Sequence, residues 1–484
     1  MASPVIATDL RVLVPICVDL DGTLVCTDTL WECLIAAWRK DPWLFFLFPF
    51  WLLRGRAYLK YEAAKHANLD VRSLPYDADL VNLLAEQRDR GRQVLLVTGS
   101  SSAVANKVAQ ELGLFSEVIS STKTLNLSGH NKLKALQAHF PDKGFEYIGD
   151  SSADLPIWSY LGKAHTRGAS KHFCAQLESK GIEVVSQGRH RSLDLKTVAR
   201  ELRIHQWAKN LLIFIPLLAS HRFTNTGLLL KSLVAFAAFS CVASSFYVFN
   251  DLLDVRADRL HPQKRERPVA SGQMSMNQAT ALLAIAAAIG LGLAATVSAR
   301  FLYATLAYLA GTAAYSLYAK RLVLVDAFML GLLYTARVIA GGVATGITIS
   351  SWTLGYTSFL FLSLALMKRY SEISQRAPDV KGTTLPGRAY ELQDLSIIGN
   401  IGVSSGLLSA LLMALYLRSP EVEVLYRRPA FLLPLCIIHV YWISRAWLLT
   451  NRHLMHDDPI VFALKDHVTH KLIVLAAIIG YFAT

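Results

Sequence analysis

Apolar residues divide this 484-residue chain between two solvents. Beyond about residue 207 they gather into runs long enough to cross a bilayer, whereas before it none exceeds a strand or a short helix. A water-soluble part followed by a membrane part is the consequence. Nine apolar segments are read in the second part, centred near Ile213, Phe239, Ala286, Ala307, Gly331, Leu362, Leu408, Ile437 and Ala477. The first and last are short for a span, and the expectation is an all-α bundle of about nine transmembrane helices.

A formal charge of +13 raises the question of nucleic acid, but the basic residues lie mostly in short loops between apolar segments. Orientation in a membrane is therefore the reading, with anionic headgroups or phosphorylated substrates as a second use and no nucleic-acid partner. With the N-terminus inside, the even-numbered connections are cytosolic, and they carry "KRER", "AKR", "MKRYSEISQR" and "NRHLMHDD". Residues 1–24 hold only a strand-sized apolar run, 12–18, too short for a cleavable signal. The soluble part is thus expected in the cytosol, at the inner membrane. Six cysteines show no paired metal-ligand spacing, so zinc is not expected. His453, His456, His467 and His470 cluster in sequence beside acidic neighbours and read as a solvated loop or gate.

Residues 11–186 alternate strand-like runs ("VLVPICVDL", "QVLLVTGS", "FEYIGDSS", "GIEVVS") with helical segments, the pattern of an α/β domain with a parallel sheet. Ligands of such sheets bind at the carboxyl ends of strands. Asp19 and Asp21, Thr98, and Asp150 follow the first three runs there. With "DLDGT" at 19–23, "VTGS" at 97–100, Lys132 in "GHNK" and "GDSSAD" at 149–154, this part resembles the haloacid dehalogenase-like phosphatase superfamily, with a Rossmann-like fold. The resemblance implies that Asp19 attacks phosphorus and forms an aspartyl-phosphate, while Asp21 protonates the leaving alkoxide and then deprotonates water. Thr98 and Lys132 would hold the phosphoryl oxygens. Asp19 and Asp150 would bind Mg²⁺, with Asp154 in support, and Gly22 and Gly149 would permit close backbone approach. Residues 27–90 would form the helical cap that selects substrate. Inside it "WLFFLFPFWLLRGR" is too short to span and carries Pro49; it is either a buried cap helix or an interfacial segment, and the latter would imply a lipid-linked substrate.

The second apolar segment runs into "VFNDLLDVRADRLHPQKRERP" at 248–268. On a helix, Asn250, Asp251, Asp254 and Asp258 fall within an arc of roughly 100°, an oxygen-rich face suited to Mg²⁺ shared with phosphates. Leu252, Leu253, Arg256 and Arg259 point elsewhere, and Lys264, Arg265 and Arg267 follow on a loop. The run N-D-x-x-D-x-x-x-D followed by "HPQKRERPVASG" is similar to the UbiA-like prenyltransferase superfamily. "LRIHQWAKN" (202–210), "YSLYAKR" (315–321), "ARVIAGG" (336–342) and "MKRYSE" (367–372) look like its decaprenyl-phosphate phosphoribosyltransferase branch. Two departures stand out: Ile204 replaces a usual proline, and only Asp326 remains of a second acidic motif, with Leu330 four residues on.

The resemblance implies transfer of 5-phosphoribose from phosphoribosyl pyrophosphate to a polyprenyl phosphate. Asn250, Asp251, Asp254 and Asp258 would hold Mg²⁺ on the pyrophosphate; Lys209, Lys264, Arg265, Arg267, Tyr315, Lys320, Arg337, Lys368 and Arg369 would bind the phosphate groups of donor and lipid. Arg337, inside a span, has a buried phosphate as its expected partner, or else Asp326. The alternative is prenyl transfer from a polyprenyl diphosphate to an aromatic acceptor beside an independent or regulatory phosphatase-like domain. The domain reading is phosphatase at 1–188, linker and interfacial helix at 189–206, and transferase at 207–484, with oligomeric state left open.

Overall fold

The computed structural model describes residues 14–142, 144–186, 194–376, 390–455 and 458–483. Two compact units emerge: Met1–Leu202 with Val248–Leu282, and Arg203–Tyr247 with Leu283–Thr484. The end of the acidic helix therefore packs as part of the first unit, a division that the apolar pattern does not reveal.

The first unit is built on a parallel sheet of six strands: β1 (Ile16–Val18), β2 (Val94–Ser101), β3 (Glu117–Ser121), β4 (Glu146–Gly149), β5 (Lys163–Thr166) and β6 (Glu183–Ser186). Their order is β3-β2-β1-β4-β5-β6, with Ile16 opposite Val94 and Glu146. Side chains alternate between faces, so Ile16 and Val18 join one apolar core and Cys17, Leu95 and Val97 the other. Because the chain moves from β1 outward through β2 to β3 and then crosses to β4 on the other side of β1, a crevice opens beyond the carboxyl end of β1, where Asp19 begins.

Between β1 and β2 the insert is helical, with its longer helices at Thr29–Lys40, Arg56–His66 and Ala78–Asp89. Asp28 and Asp77 cap the first and last by accepting from Leu30 N and Leu80 N. The aromatic run folds into two short pieces, Pro42–Leu47 and Phe48–Leu53, of which Leu44 and Trp51 alone are buried. It is not a buried cap helix.

Beyond residue 194 the chain is helical. Among the described residues five helices are long and apolar enough to cross a membrane: Thr226–Leu260, Met276–Val297, Val325–Thr345, Leu392–Tyr416 and Pro429–Asn451. Of the other four expected segments, the one near Ile213 forms a 3-10 helix, Ile204–Phe214, and the one near Ala477 a helix of 17 residues, His467–Ala483. Ala299–Leu317 and Ser351–Arg376 are helices outside the five. Residues 189–193 of the expected linker and interfacial helix, and His456 of the histidine group, lie outside the described residues. Small residues let the helices meet: a β-carbon on Gly341 would lie 2.0 Å from Ile213 O, and one on Gly402 2.2 Å from the Trp447 ring. At 35 residues, Thr226–Leu260 is about 52 Å long against a hydrocarbon core of about 30 Å, so its ends project beyond the core.

Candidate active sites

The sheet brings four separated motifs to the end of β1. Lys132 Nζ lies 3.0 Å from Asp19 Oδ2 and 3.2 Å from Asp154 Oδ1. It also donates to Tyr147 OH at 2.7 Å, and that hydroxyl donates to Asp154 Oδ1 at 2.7 Å. Asp19, Lys132 and Asp154 are all buried. Burial pushes Asp19 up; Lys132 pulls it back while Asp154 and Asp21 raise it further, leaving it at about 7. Burial works against the Lys132 charge, yet Asp154 and Asp19 hold its pKa above the ordinary lysine value.

Asp21 is oriented from two sides, accepting from Thr29 N at 2.8 Å and from the Ser100 hydroxyl. Thr98 Oγ1 accepts from Ser100 N at 3.0 Å. Asp19, Asp150 and Asp154 each offer an oxygen within 4.8 Å of the others. Asp154 Oδ2 is buried without a hydrogen-bond partner, and a β-carbon on Gly22 would lie 2.0 Å from Asp150 Oδ2. A cluster of hard oxygens with an orphaned buried one fits a divalent cation.

The acidic helix presents a second cluster. Arg267 Nη1 bridges Asp251 Oδ1 at 2.9 Å and Asp258 Oδ2 at 2.6 Å, so the two buried carboxylates converge on one positive charge. Arg267, expected on phosphate, is engaged by carboxylates here. Asp254 is half-buried, 3.7 Å from Arg39, and Asn250 is half-buried. In the following turn, Lys264 is half-buried and Arg265 exposed. On the opposite face Arg259 reaches Glu32 Oε1 at 2.6 Å, Ala270 O at 3.1 Å and Ser73 O at 3.4 Å, while Arg256 donates to Asn68 O at 3.2 Å. The back of the helix is thereby docked on the insert.

In the second unit the basic residues divide. Lys209 and Lys368 share Asp458 Oδ2 at 2.8 and 3.0 Å, and Tyr334 OH donates to the same oxygen at 3.0 Å. Buried Arg337 donates to Asn210 Oδ1 (2.9 Å), Leu333 O (2.6 Å) and Tyr308 OH (2.7 Å), and stands over the Tyr308 and Tyr334 rings. These partners are neutral, and Asp326 is not among them. Arg369 is the residue that takes Asp326, at 2.5 Å, together with Glu372 and Tyr315 OH; it is buried and braced by these groups, where an anion contact was expected. Tyr390 donates to Asp326 as well. Lys320 is half-buried in the turn Ala319–Arg321.

The UbiA prenyltransferase family model matches residues 211–463, just over half of the chain. The chain belongs to that family. The haloacid dehalogenase-like hydrolase model matches residues 16–159, so a phosphatase-like domain precedes the UbiA domain. A Sinorhizobium fredii protein, y4nM, is 38% identical over 93% of this chain and 87% of its own length. Nodulation protein NoeC of Azorhizobium caulinodans is 35% identical over 56% of this chain and 87% of its own. Decaprenyl-phosphate phosphoribosyltransferase of Mycobacterium tuberculosis is 37% identical over 36% of this chain and 60% of its own.

Several site residues escape sequence reasoning. In the UbiA domain Asp458 closes "NRHLMHDD", read there only for its charge, Asn210 closes "LRIHQWAKN" without a role of its own, and Tyr334 reads as an ordinary polar residue of an apolar segment. In the phosphatase-like domain Tyr147 and Ser100 lie beside the motifs, in "YIGD" and "VTGSS", where they were legible as neighbours but without a role. Lys60 comes from the insert, its Nζ 2.6 Å from Gly99 O and 3.1 Å from Asn126 Oδ1; burial lowers its pKa, although Asp21 and Asp28 oppose this.

Proposed function

We propose that the protein is a bifunctional membrane enzyme of lipid-linked pentose synthesis. The UbiA domain transfers 5-phosphoribose from phosphoribosyl pyrophosphate to a polyprenyl phosphate, and the phosphatase-like domain removes the 5-phosphate. The observation that carries this reading is the joining, in one chain, of a phosphomonoester-type Asp–Lys–Asp site to a UbiA domain similar to decaprenyl-phosphate phosphoribosyltransferases.

In the first step an oxygen of the lipid phosphate forms a bond to the anomeric carbon and pyrophosphate leaves. Asn250, Asp251, Asp254 and Asp258 would hold Mg²⁺, which neutralises the leaving group's charge when bound. Lys209 and Lys368 share one carboxylate and buried Arg337 has neutral partners, which leaves a surplus of positive charge for phosphates, with Lys264, Arg265, Arg267, Tyr315, Lys320 and Arg369 as supporting residues. Asp326 supports a single acidic face, because its carboxylate is spent on Arg369 and Tyr390. In the second step Asp19 takes the phosphoryl group from the ribose 5-oxygen, which Asp21 protonates. Water, deprotonated by Asp21, then releases inorganic phosphate. Thr98 and Lys132 hold the phosphoryl oxygens, and Asp19, Asp150 and Asp154 form the Mg²⁺ site.

This reading places the phosphatase (1–188) in the cytosol, joined through 189–206 to a transferase (207–484) of nine spans in the inner membrane. Membranes given labelled phosphoribosyl pyrophosphate and polyprenyl phosphate test it. Wild type is expected to yield ribosyl lipid and phosphate, and Asp19→Asn to accumulate the phosphorylated lipid. Activity only with a prenyl diphosphate and an aromatic acid would overturn the donor assignment.

A further inference from the structure

The insert of the phosphatase-like domain carries a surface that water does not suit. Across Pro42–Leu47 and Phe48–Leu53, Trp43 is 77% exposed, Phe46 61%, Phe50 64% and Leu53 84%, with Phe45 and Leu52 also exposed. A contiguous apolar patch of this kind on a folded unit marks something that covers it. At 12 residues with Pro49 inside, the segment is about 18 Å long and cannot span a bilayer.

Position and chemistry identify the cover. Trp38 packs on Phe45 at 6.1 Å and on Phe249 at 5.8 Å, and Phe249 belongs to Thr226–Leu260, a helix fit to cross the membrane. Arg39 Nη1 donates to Leu253 O on the same helix at 3.3 Å. The patch is therefore continuous with the stretch of that helix just before its acidic turns. Residues 42–56 contain no acid, and Arg54 and Arg56, both exposed, close the run. Aromatic rings bordered by arginines suit the headgroup zone, where rings bury their faces and guanidinium groups meet lipid phosphates. Leading on from the patch, Arg56–His66 carries Lys60, which reaches Gly99 beside Thr98 in the phosphatase site.

We propose that residues 42–53 form a membrane-interface anchor that seats Trp43, Phe45, Phe46, Phe50 and Leu53 in the headgroup region of the bilayer the same chain spans, and so holds the phosphatase site at the level of a phosphomonoester borne on lipid. The choice of substrate rests on the function proposed above; the anchor itself does not.

The test uses the full chain in phosphatidylcholine–phosphatidylglycerol nanodiscs. A nitroxide is placed at Phe46→Cys in a Cys241→Ser/Cys436→Ser background, since the other cysteines are buried. The label is expected to collide readily with oxygen and poorly with a water-soluble nickel chelate. In parallel, the triple variant Trp43→Ser/Phe46→Ser/Phe50→Ser is expected to raise KM for the lipid-linked phosphomonoester about tenfold, and to leave p-nitrophenyl phosphate hydrolysis within about twofold. A nickel-accessible label overturns the anchor, as does one shielded from both reagents, which would indicate a protein partner or a second copy. Equal losses on both substrates also overturn it. A lipid-exposed label in a chain that cleaves p-nitrophenyl phosphate but no lipid-linked substrate sustains the anchor and overturns the proposed second reaction.

Discussion

Gly22 has no room for a β-carbon: φ is +79°, and the added atom would meet Asp150 Oδ2 at 2.0 Å. Gly22→Ala is predicted to displace the catalytic loop and lower phosphomonoesterase activity about 10²-fold while phosphoribosyl transfer persists, measured side by side on one preparation. Asp19 carries a pH signature. Its pKa is raised by burial to about 7, so the stability it contributes is present below its ordinary value near 3.8 and lost as pH rises through 7. After chelation with EDTA, the melting temperature is predicted to fall between about pH 4 and pH 7, and added Mg²⁺ to reverse the fall, read by calorimetry. Asp458 binds Lys209 and Lys368 together, so Asp458→Asn leaves two cations without their carboxylate. A loss of about 3 kcal/mol is expected in thermal denaturation in detergent.

Among elements, the acidic helix is decided by both of its faces. Its oxygen face follows from helical periodicity alone, but the docking of its back on the insert follows from Arg259 meeting Glu32, 227 residues away, with both side chains nearly buried. Glu32→Gln keeps an acceptor for the Thr27 hydroxyl but removes the counter-charge, and is predicted to destabilise by about 3 kcal/mol. Adding Arg259→Met should recover part of this, giving a coupling energy in a double-mutant cycle; simple additivity would show that the pair does not couple. Among the membrane helices, contact through glycine is the counterpart. Within 336–342, Gly341 lies so close to the Ile213 carbonyl that no side chain would fit.

For the whole molecule, the linear domain boundary and the packed one disagree. Composition divides the chain near residue 200, yet Val248–Leu282 packs with Met1–Leu202. A fragment starting at residue 194 would expose the Arg259 face and the loop at Gly272, which presses on Cys26. It is predicted to transfer phosphoribose more slowly than the full chain and to be restored in part by residues 1–190 added in trans; equal rates would refute the dependence. The α/β order, the phosphatase motifs and the acidic face were legible in residue order, because each depends on local periodicity or on residue types set at strand ends. Membrane character was legible too, since transfer of an apolar run into lipid depends on its own composition. The form of each apolar run was not, because the one near Ile213 satisfies composition yet winds as a 3-10 helix. Nor were the counter-ions: Asp458 for Lys209 and Lys368, Asp326 for Arg369, and Glu32 for Arg259 are pairings over long sequence distances. Charge pairing in a low-dielectric interior is a property of proximity in space, and only the folded chain brings those groups together.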